Sequence, residues 1–190
     1  MAAGAAYGVR IWMTVLETER TCLRRLTPDD VDGVMRIFSD AEAMKYSPAG
    51  VPQDRAAAAD LIRWNLANYE RHGVGAWAVV ARSSGEFLGM AGLIPHATGW
   101  EVFYSFARKN WGQGFATETA AACRDHAFVR FAQTRLIAII HPRNLRAVRV
   151  ALKLGMREAG TIDFWGRPNR LFEIRRRLQP AAAGAAGSGF

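Results

Sequence analysis

Apolar residues along this chain recur with two periods, that of a strand and that of a helix. Residues 21–25 predict a first strand. Thr27 follows as a helix N-cap, with a proline and two acids in the first turn, and apolar residues at helical spacing come after it. A loop at 48–52 leads into a second helix over 54–71. The first part of the chain therefore predicts one strand followed by two helices.

Three strands are predicted next, and short glycine-containing turns separate them, which indicates an antiparallel meander. These strands cover 77–82, 86–95 and 100–107. A helix, a strand, a helix and two further strands complete the chain, over 115–131, 135–140, 144–154, 156–164 and 170–176. The order contains no internal repeat and no linker. It predicts one α/β domain over residues 14–178, with a mixed, mostly antiparallel central sheet flanked by about four helices.

Both termini differ from this domain in composition. Residues 1–13 and 179–190 are rich in Ala and Gly and are expected to be a flexible extension and a disordered tail. The N-terminus has no continuous apolar segment behind basic residues, so it is not interpreted as a signal peptide. The patterned sequence starts at about Val15, which makes Met13 a candidate start residue. No apolar run approaches the roughly 20 residues that span a bilayer, so no membrane partner is expected.

The segment 108–118 carries the strongest chemical signal. It follows an aromatic strand and enters a helix, and it contains Gly112 and Gly114. A strand–glycine loop–helix junction directs several backbone N–H groups at one point, at the positive end of a helix dipole, and so favours an anion, phosphate above all. The segment lacks the third glycine of a dinucleotide fingerprint and the Gly-Lys-Ser/Thr of a P-loop. The meander before it also argues against a dinucleotide-binding fold.

The net charge of +8 is unevenly distributed. Residues 1–123 contain 12 Lys and Arg against 13 Asp and Glu, whereas residues 124–177 contain 13 against 4. A solvated arginine-rich surface explains this excess, and so does electrostatic attraction of a polyanion. Charge alone does not separate a nucleotide cofactor from RNA.

The two cysteines, Cys22 and Cys123, form neither a disulfide framework nor a metal-binding spacing, and no metal is expected. Cys123 falls on the apolar face of a predicted helix, which favours a buried thiol. A reducing, cytoplasmic location fits this use of cysteine.

Four motifs in this order resemble the GNAT superfamily of acyl-CoA-dependent N-acyltransferases. They are the opening 16–30, the strand 100–106, the glycine loop, and Asn144-x-x-Ala147-x-x-Val150-x-x-Lys153-x-Gly155-Met156. Within the superfamily they resemble the branch that includes ribosomal-protein N-terminal (alanine) acetyltransferases. The similarity extends from about residue 15 to 177.

The resemblance implies acetyl-CoA or a related acyl-CoA as the acyl donor, with its pyrophosphate on the amides of the glycine loop. Backbone groups near Phe106 and Ala107 would pair with the pantetheine arm, because in the family this strand splays from its neighbour. Lys109 stands where the family has Gln or Arg. Asn144 matches a helix-capping Asn that contacts the same arm, and a plain N-cap explains it too. The cofactor-binding residues implied are Phe106, Ala107, Arg108, Lys109, Gly112, Gln113, Gly114, Phe115, Ala116, Thr117 and Asn144.

Glu101 matches the family's general base, and a structural or substrate-binding role is the competing interpretation. Glu118 is expected to complement the helix dipole and to anchor the loop. Many relatives have a thiolate-protonating Tyr where this chain has Ala151, so no general acid is assigned; Tyr104 is no obvious substitute. The histidines nearest the predicted active-site strands are His96 and His141.

The amine acceptor is expected to be either the N-terminal α-amine of a protein or a small amine, bound between residues 43–54 and 165–169. Asp40, Glu42, Asp54 and Asp60 would attract a cationic acceptor, or serve as solvated caps. An apolar wall for the acceptor, or simply core, is expected from Met44, Tyr46, Trp64 and Trp165.

The competing function is a non-catalytic CoA-binding or RNA-binding module. Its basic helix face would consist of Arg143, Arg146, Arg149 and Lys153. RNA binding would need exposed aromatic residues between these charges, and this helix has none. A homodimer through edge strands near the C-terminus is compatible with either function.

Overall fold

The computed structural model describes residues 14–48 and 53–176. Within these ranges eight strands and five α-helices form one α/β domain. The strands are β1 Thr14–Glu17, β2 Thr21–Arg24, β3 Ala76–Ala81, β4 Phe87–His96, β5 Gly99–Phe106, β6 Arg135–Ile140, β7 Arg157–Phe164 and β8 Arg167–Arg175. The helices are α1 Val31–Phe38, α2 Ala41–Met44, α3 Arg55–His72, α4 Phe115–Arg130 and α5 Leu145–Lys153. The predicted extension and tail, and positions 49–52 of the predicted loop, lie outside the described residues.

The strands form one open mixed sheet in the order β1-β2-β3-β4-β5-β6-β8-β7. Neighbours are antiparallel except β5 and β6, which run parallel because α4 carries the chain back across the sheet between them. The predicted meander is confirmed by the continuous antiparallel pairing from β2 to β5. The predicted α/β class and mixed sheet are confirmed as well.

Two short elements were not predicted. Strand β1 has four residues and pairs with β2 across a tight turn, and α2 is a single turn. Neither is long enough to show a period, so only tertiary contacts reveal them. The first helix also begins differently from the prediction, with a 3-10 turn at Pro28–Asp30 before α1. The backbone N–H of Thr27 donates to Asp30 at 2.8 Å, which stabilises that turn.

The core is divided by the sheet. Trp77 and Val79 face a cluster formed with α4 and α5, whereas Ala78 between them faces a cluster formed with α1 and α3. This follows from the alternation of side chains along a strand. On α4 the small residues Ala120, Cys123 and Ala127 are fully buried, so that helix lies close to the sheet. No helix in the described ranges is both long and apolar enough to cross a bilayer.

Candidate functional site

Strands β5 and β6 separate in the middle of the sheet. They pair only at their first residues, Trp100 with Leu136 and Glu101 with Ile137. Beyond Glu101, β5 stays on β4 to its end, and β6 stays on β8. The two central strands therefore form a wedge, which we call the splay, with Glu101 at its closed end.

The glycine loop follows the open end of β5. A 3-10 turn at Arg108–Asn110 leads to Gly112 and Gly114, whose φ angles of 77° and 86° are in the left-handed region that glycine adopts without strain. The amide of Glu118 donates to the carbonyl of Gly114 at 3.0 Å. Within the described residues, no backbone acceptor is found for the N–H groups of 112–117. These amides are thus free to bind an anion at the N-terminus of α4.

A cleft of about 670 Å³ connects the loop with α5 and with the open end of the splay. Gly112 lines this cleft, and a Cβ atom on it would meet no protein atom within 4 Å. From the loop and β5, the cleft is lined by Tyr104, Ser105, Phe106, Asn110, Trp111, Gly112, Gly114, Phe115, Ala116 and Thr117. The amide-rich loop thus lines a concave cleft that is open to solvent on one side.

The opposite wall of the cleft is positively charged. Arg143, Arg146, Arg149 and Lys153 all line it, and Asn144 and Leu145 lie beside them. The Arg146 guanidinium lies 4.6 Å from the centre of the Trp111 ring, a cation–π contact that ties α5 to the glycine loop. This is the basic helix face that sequence analysis assigned to a competing RNA-binding function. It faces the same cleft as the predicted phosphate loop.

Four predicted ligand residues do not line this cleft: Ala107, Arg108, Lys109 and Gln113. Arg108 lies 3.3 Å from Asp40, and Lys109 pairs with Glu86. The side chain of Gln113 donates to the carbonyl of Lys109 at 2.9 Å. The 3-10 turn directs the two cations away from α5, and both ion pairs are exposed enough to exchange at little cost. Their contact with a phosphate stays a prediction.

Some backbone hydrogen-bonding groups at the end of β5 already have partners within the protein. The amide of Ala107 donates to Leu88 in β4 at 3.2 Å, and the indole Nε1 of Trp111 donates to the carbonyl of Phe106 at 2.8 Å. Backbone groups alternate in direction along a strand, so those of Phe106 point into the splay. A second ligand bond at Phe106 is compatible with this arrangement. Ala107 already has its partner.

Asn144 is the N-cap of α5. Its side chain accepts the amide of Ala147 at 3.2 Å, which is the capping role, and Asn144 also borders the cleft. The contact with a pantetheine arm stays a prediction.

Glu118 braces the glycine loop from the side opposite the cleft. It accepts hydrogen bonds from Thr18 Oγ1 at 2.5 Å and from the backbone N–H and side chain of Arg20. Burial raises the pKa of Glu118, but these donors and the charge of Arg20 together lower it below its usual value. The contacts agree with the predicted anchoring role. Sequence reasoning missed Arg20, because nothing local connects it with a helix far along the chain.

The carboxylate of Glu101 contacts two groups at the closed end of the splay. His96 Nε2 lies 2.7 Å from Oε2, and the amide of Ile139 donates to Oε1 at 3.4 Å. The side chains of Glu101 and His96 are 13% and 22% exposed. Both residues were predicted near the active-site strands, but no local pattern in the sequence predicts that they bind each other.

No general acid was predicted, and the two positions considered for one, Tyr104 and Ala151, have defined surroundings. Tyr104 borders the cleft, and its hydroxyl donates to the carbonyl of Ala147 at 3.0 Å. Burial raises the pKa of Tyr104, and the charge of Glu101 raises it further. Ala151 is fully buried in the core cluster of α4 and α5.

The predicted acceptor wall is only partly assembled. Tyr46 borders the cleft and stacks on His141 with ring centres 5.0 Å apart, whereas Met44 is a core residue. Trp64 and Trp165 are exposed. The acids near the second helix have partners: Asp40 and Asp54 cap helices, Glu42 lies near Lys45, and Asp60 pairs with Arg63. These contacts agree with caps and surface pairs.

Both cysteines lie within the described residues. Cys22 and Cys123 are both free and buried, and burial raises the pKa of the Cys123 thiol. No group of three or more His, Cys, Asp or Glu in the ranges 14–48 and 53–176 is arranged to hold a metal ion.

Comparison with known protein families gives a match over most of the domain. Residues 20–157 match the family described as the acetyltransferase (GNAT) domain. The uncharacterized protein YkkB of Bacillus subtilis is 34% identical over 165 residues, 84% of this chain and 95% of that protein. The uncharacterized N-acetyltransferase p20 of Bacillus licheniformis is 27% identical over 167 residues, 85% of this chain and 93% of that protein.

Solved structures share the fold. A GNAT-family acetyltransferase from Bacillus anthracis superposes with a TM-score of 0.74 at 24% identity, over 84% of this chain and 97% of that one. RimJ of Mycobacterium smegmatis, solved in complex with CoA-disulfide, superposes with a TM-score of 0.68 at 22% identity. The superposition covers 82% of this chain and 81% of that one.

Proposed function

Since this chain belongs to the GNAT family of N-acetyltransferases, we propose that it transfers an acetyl group from acetyl-CoA to a primary amine. The observation that carries the proposal is the cleft in which unpaired loop amides face three cations of α5 and Arg143 just before that helix. A nucleotide with a pyrophosphate and a further phosphate needs both kinds of group. Acetyl-CoA, when bound, supplies the activated acyl group.

The chain's own groups fit such a ligand. The amides of 112–117 are the donors for a pyrophosphate, and Gly112 leaves room for it. The cations of α5 hold a further phosphate, and the edge of β5 at Phe106 offers backbone groups to an extended amide-containing arm. An arm that follows β5 inward leads from the loop to the closed end of the splay, where Glu101 lies.

The reaction needs a neutral amine, because an ammonium has no lone pair to attack with. We place the removal of a proton from the amine at the closed end of the splay, where Glu101 and the histidine paired with it lie. Both acceptor classes stay open. The acids expected to attract a cationic acceptor already cap helices or pair with cations, so they favour neither class. A cytoplasmic location and a homodimer remain predictions.

The position of the basic face of α5 favours CoA over RNA as its ligand. Arg143 and the three cations of α5 line a concave cleft that also contains the proposed phosphate loop, and an aromatic ring in that cleft, Trp111, is covered by Arg146. A cleft of this shape suits a small polyanion better than a strand of RNA.

The test is titration calorimetry with acetyl-CoA, with ATP and a short single-stranded RNA as comparators. We expect micromolar binding of acetyl-CoA and much weaker binding of the other two. CoA release would then be followed with unblocked peptides that begin with Ala and with small amines, including a polyamine and an aminoglycoside. A folded protein that binds RNA but not acetyl-CoA would overturn the proposal.

A further inference from the structure

The pair formed by His96 and Glu101 has a fixed geometry. The two residues lie on adjacent antiparallel strands, two positions apart in register, since His96 pairs with Gly99 and Ile94 with Glu101. Side chains in this diagonal relationship share one face of the sheet. The 2.7 Å contact between Nε2 and Oε2 is therefore built into the strand pairing. It lies at the closed end of the splay.

Both oxygens of Glu101 already have donors. Oε2 faces His96, and Oε1 accepts the amide of Ile139. The contact with Ile139 crosses from β5 to β6 immediately beyond their last paired residues, so the carboxylate also holds the two strands at the point where they part. A proton placed on Glu101 would remove the negative charge that these donors face.

Glu101 contacts only one nitrogen of the His96 imidazole, Nε2, so the second nitrogen, Nδ1, is the one that can accept a proton. A neutral imidazole carries a proton on one nitrogen and a lone pair on the other, and its hydrogen-bond partner selects which. A carboxylate accepts only, so Nε2 is the protonated nitrogen and Nδ1 carries the lone pair. In the described part of the chain Nδ1 has no protein partner. The ring stands edge-on to Phe164 with centres 5.6 Å apart, and the side chain is 22% exposed.

We infer that His96, not Glu101, takes the proton of the acceptor amine, and that Glu101 is the positioning residue that holds His96 in the required tautomer. The inference rests on the proposed function. As the amine nitrogen bonds to the acyl carbon and the carbon–sulfur bond breaks, one N–H proton of the amine passes to Nδ1. Nε2 keeps its proton and its bond to Glu101, whose charge stabilises the imidazolium. The imidazolium then returns its Nδ1 proton to water or to the departing thiolate.

Two amide substitutions separate this assignment from a base at Glu101. In His96→Gln the amide can still donate to Glu101, but no basic nitrogen remains, so we expect kcat to fall about 100-fold, the scale of general base catalysis. In Glu101→Gln the amide oxygen can still accept from Nε2, and we expect a fall of about tenfold, from loss of charge stabilisation alone. Acetyl-CoA affinity measured by calorimetry stays within a factor of two in both variants.

The relative loss of kcat in the two variants shows whether His96 or Glu101 is the base. A larger loss in Glu101→Gln than in His96→Gln, or full activity of His96→Gln, overturns the inference. Addition of imidazole to His96→Ala provides a second measurement, in which partial recovery of kcat is expected and His96→Gln serves as the control without a vacated site. The absence of recovery, together with near-normal kcat in His96→Ala, also contradicts it.

A readout independent of turnover is the tautomer of His96 in the ligand-free protein. Nitrogen-15 NMR of labelled histidine, with the His96 signals identified by their loss in His96→Gln, should show the proton on Nε2. A proton on Nδ1 would overturn the inference even if the enzyme is active. A wild-type protein that binds no acetyl-CoA and releases no CoA with any amine would instead show that the proposed function itself is wrong.

Discussion

Arg20 and Glu118 bind each other across 98 residues of chain, with Arg20 Nε 2.7 Å from Glu118 Oε2 and the Arg20 amide 3.0 Å from Oε1. Arg20 also donates to the carbonyl of Gln113 at 3.0 Å and covers the ring of Phe115. The turn between β1 and β2 therefore holds both the glycine loop and the first turn of α4. The proposed phosphate site depends on this contact for its shape.

The first prediction concerns this contact. Glu118→Gln removes the charge that holds Arg20, and we expect acetyl-CoA affinity to fall about tenfold, equivalent to about 1.4 kcal/mol. Calorimetry measures the change. Asp125→Asn is the matched control, an exposed carboxylate on the same helix that pairs with its neighbour Arg124. Equal affinities of the two variants would contradict the bracing role.

The same carboxylate predicts a dependence of stability on pH. The folded-state pKa of Glu118 is lowered, so its contribution to the free energy of unfolding is fully present above the unfolded pKa of about 4.3 and is lost as the pH falls through the lower folded pKa. Urea unfolding of wild type and Glu118→Gln should differ most near pH 7. The difference should shrink below about pH 4. If the difference in the free energy of unfolding instead grows as the pH falls, the pKa of Glu118 is not lowered by folding.

The third prediction uses two glycines with similar backbones. Gly112 and Gly85 have φ angles of 77° and 71°, and a Cβ on either would meet no protein atom within 4 Å. Replacement by Ala should therefore cost both variants a similar backbone strain, of order 1 kcal/mol. Only Gly112→Ala places a methyl group in the cleft, and acetyl-CoA affinity should fall by about tenfold or more, 1.4 kcal/mol for each factor of ten. Equal acetyl-CoA affinity in the two variants would show that no phosphate of the ligand binds at this loop.

The fourth prediction concerns the cations of α5. The double variant Arg146→Gln/Arg149→Gln should bind acetyl-CoA about tenfold more weakly at low salt, because two charges facing the ligand are lost. The affinity of the variant should also depend less on salt than that of wild type. Arg63→Gln, an exposed arginine of α3 paired with Asp60, is the control. If the double variant loses affinity for RNA but not for acetyl-CoA, the basic face would serve the competing RNA-binding function.

The fifth prediction concerns Tyr104. Its hydroxyl proton is engaged by the carbonyl of Ala147, so Tyr104→Phe should cost about 1 kcal/mol of stability and should change kcat by less than about tenfold. Thermal unfolding and steady-state kinetics measure the two effects. A loss of kcat by several orders of magnitude with stability unchanged would identify Tyr104 as the missing acid.

The order of the longer elements and the position of the glycine loop were predicted from the sequence, because both rest on local signals. Period, capping residues and glycine turns act within a few residues of one another. They located the meander, the helix capped by Asn144, and the junction at Gly112 and Gly114. The family motifs, which are contiguous in the chain, determined the class of enzyme for the same reason.

The folded structure alone shows which distant groups meet. It placed the basic face of α5 opposite the loop amides, turned Lys109 to Glu86, buried Met44 in the core, and joined Arg20 to Glu118 and His96 to Glu101. Each of these depends on sheet order, strand register or the path of a turn, and on competition among partners for each side chain. Such quantities are properties of the packed chain as a whole, so no local pattern specifies them.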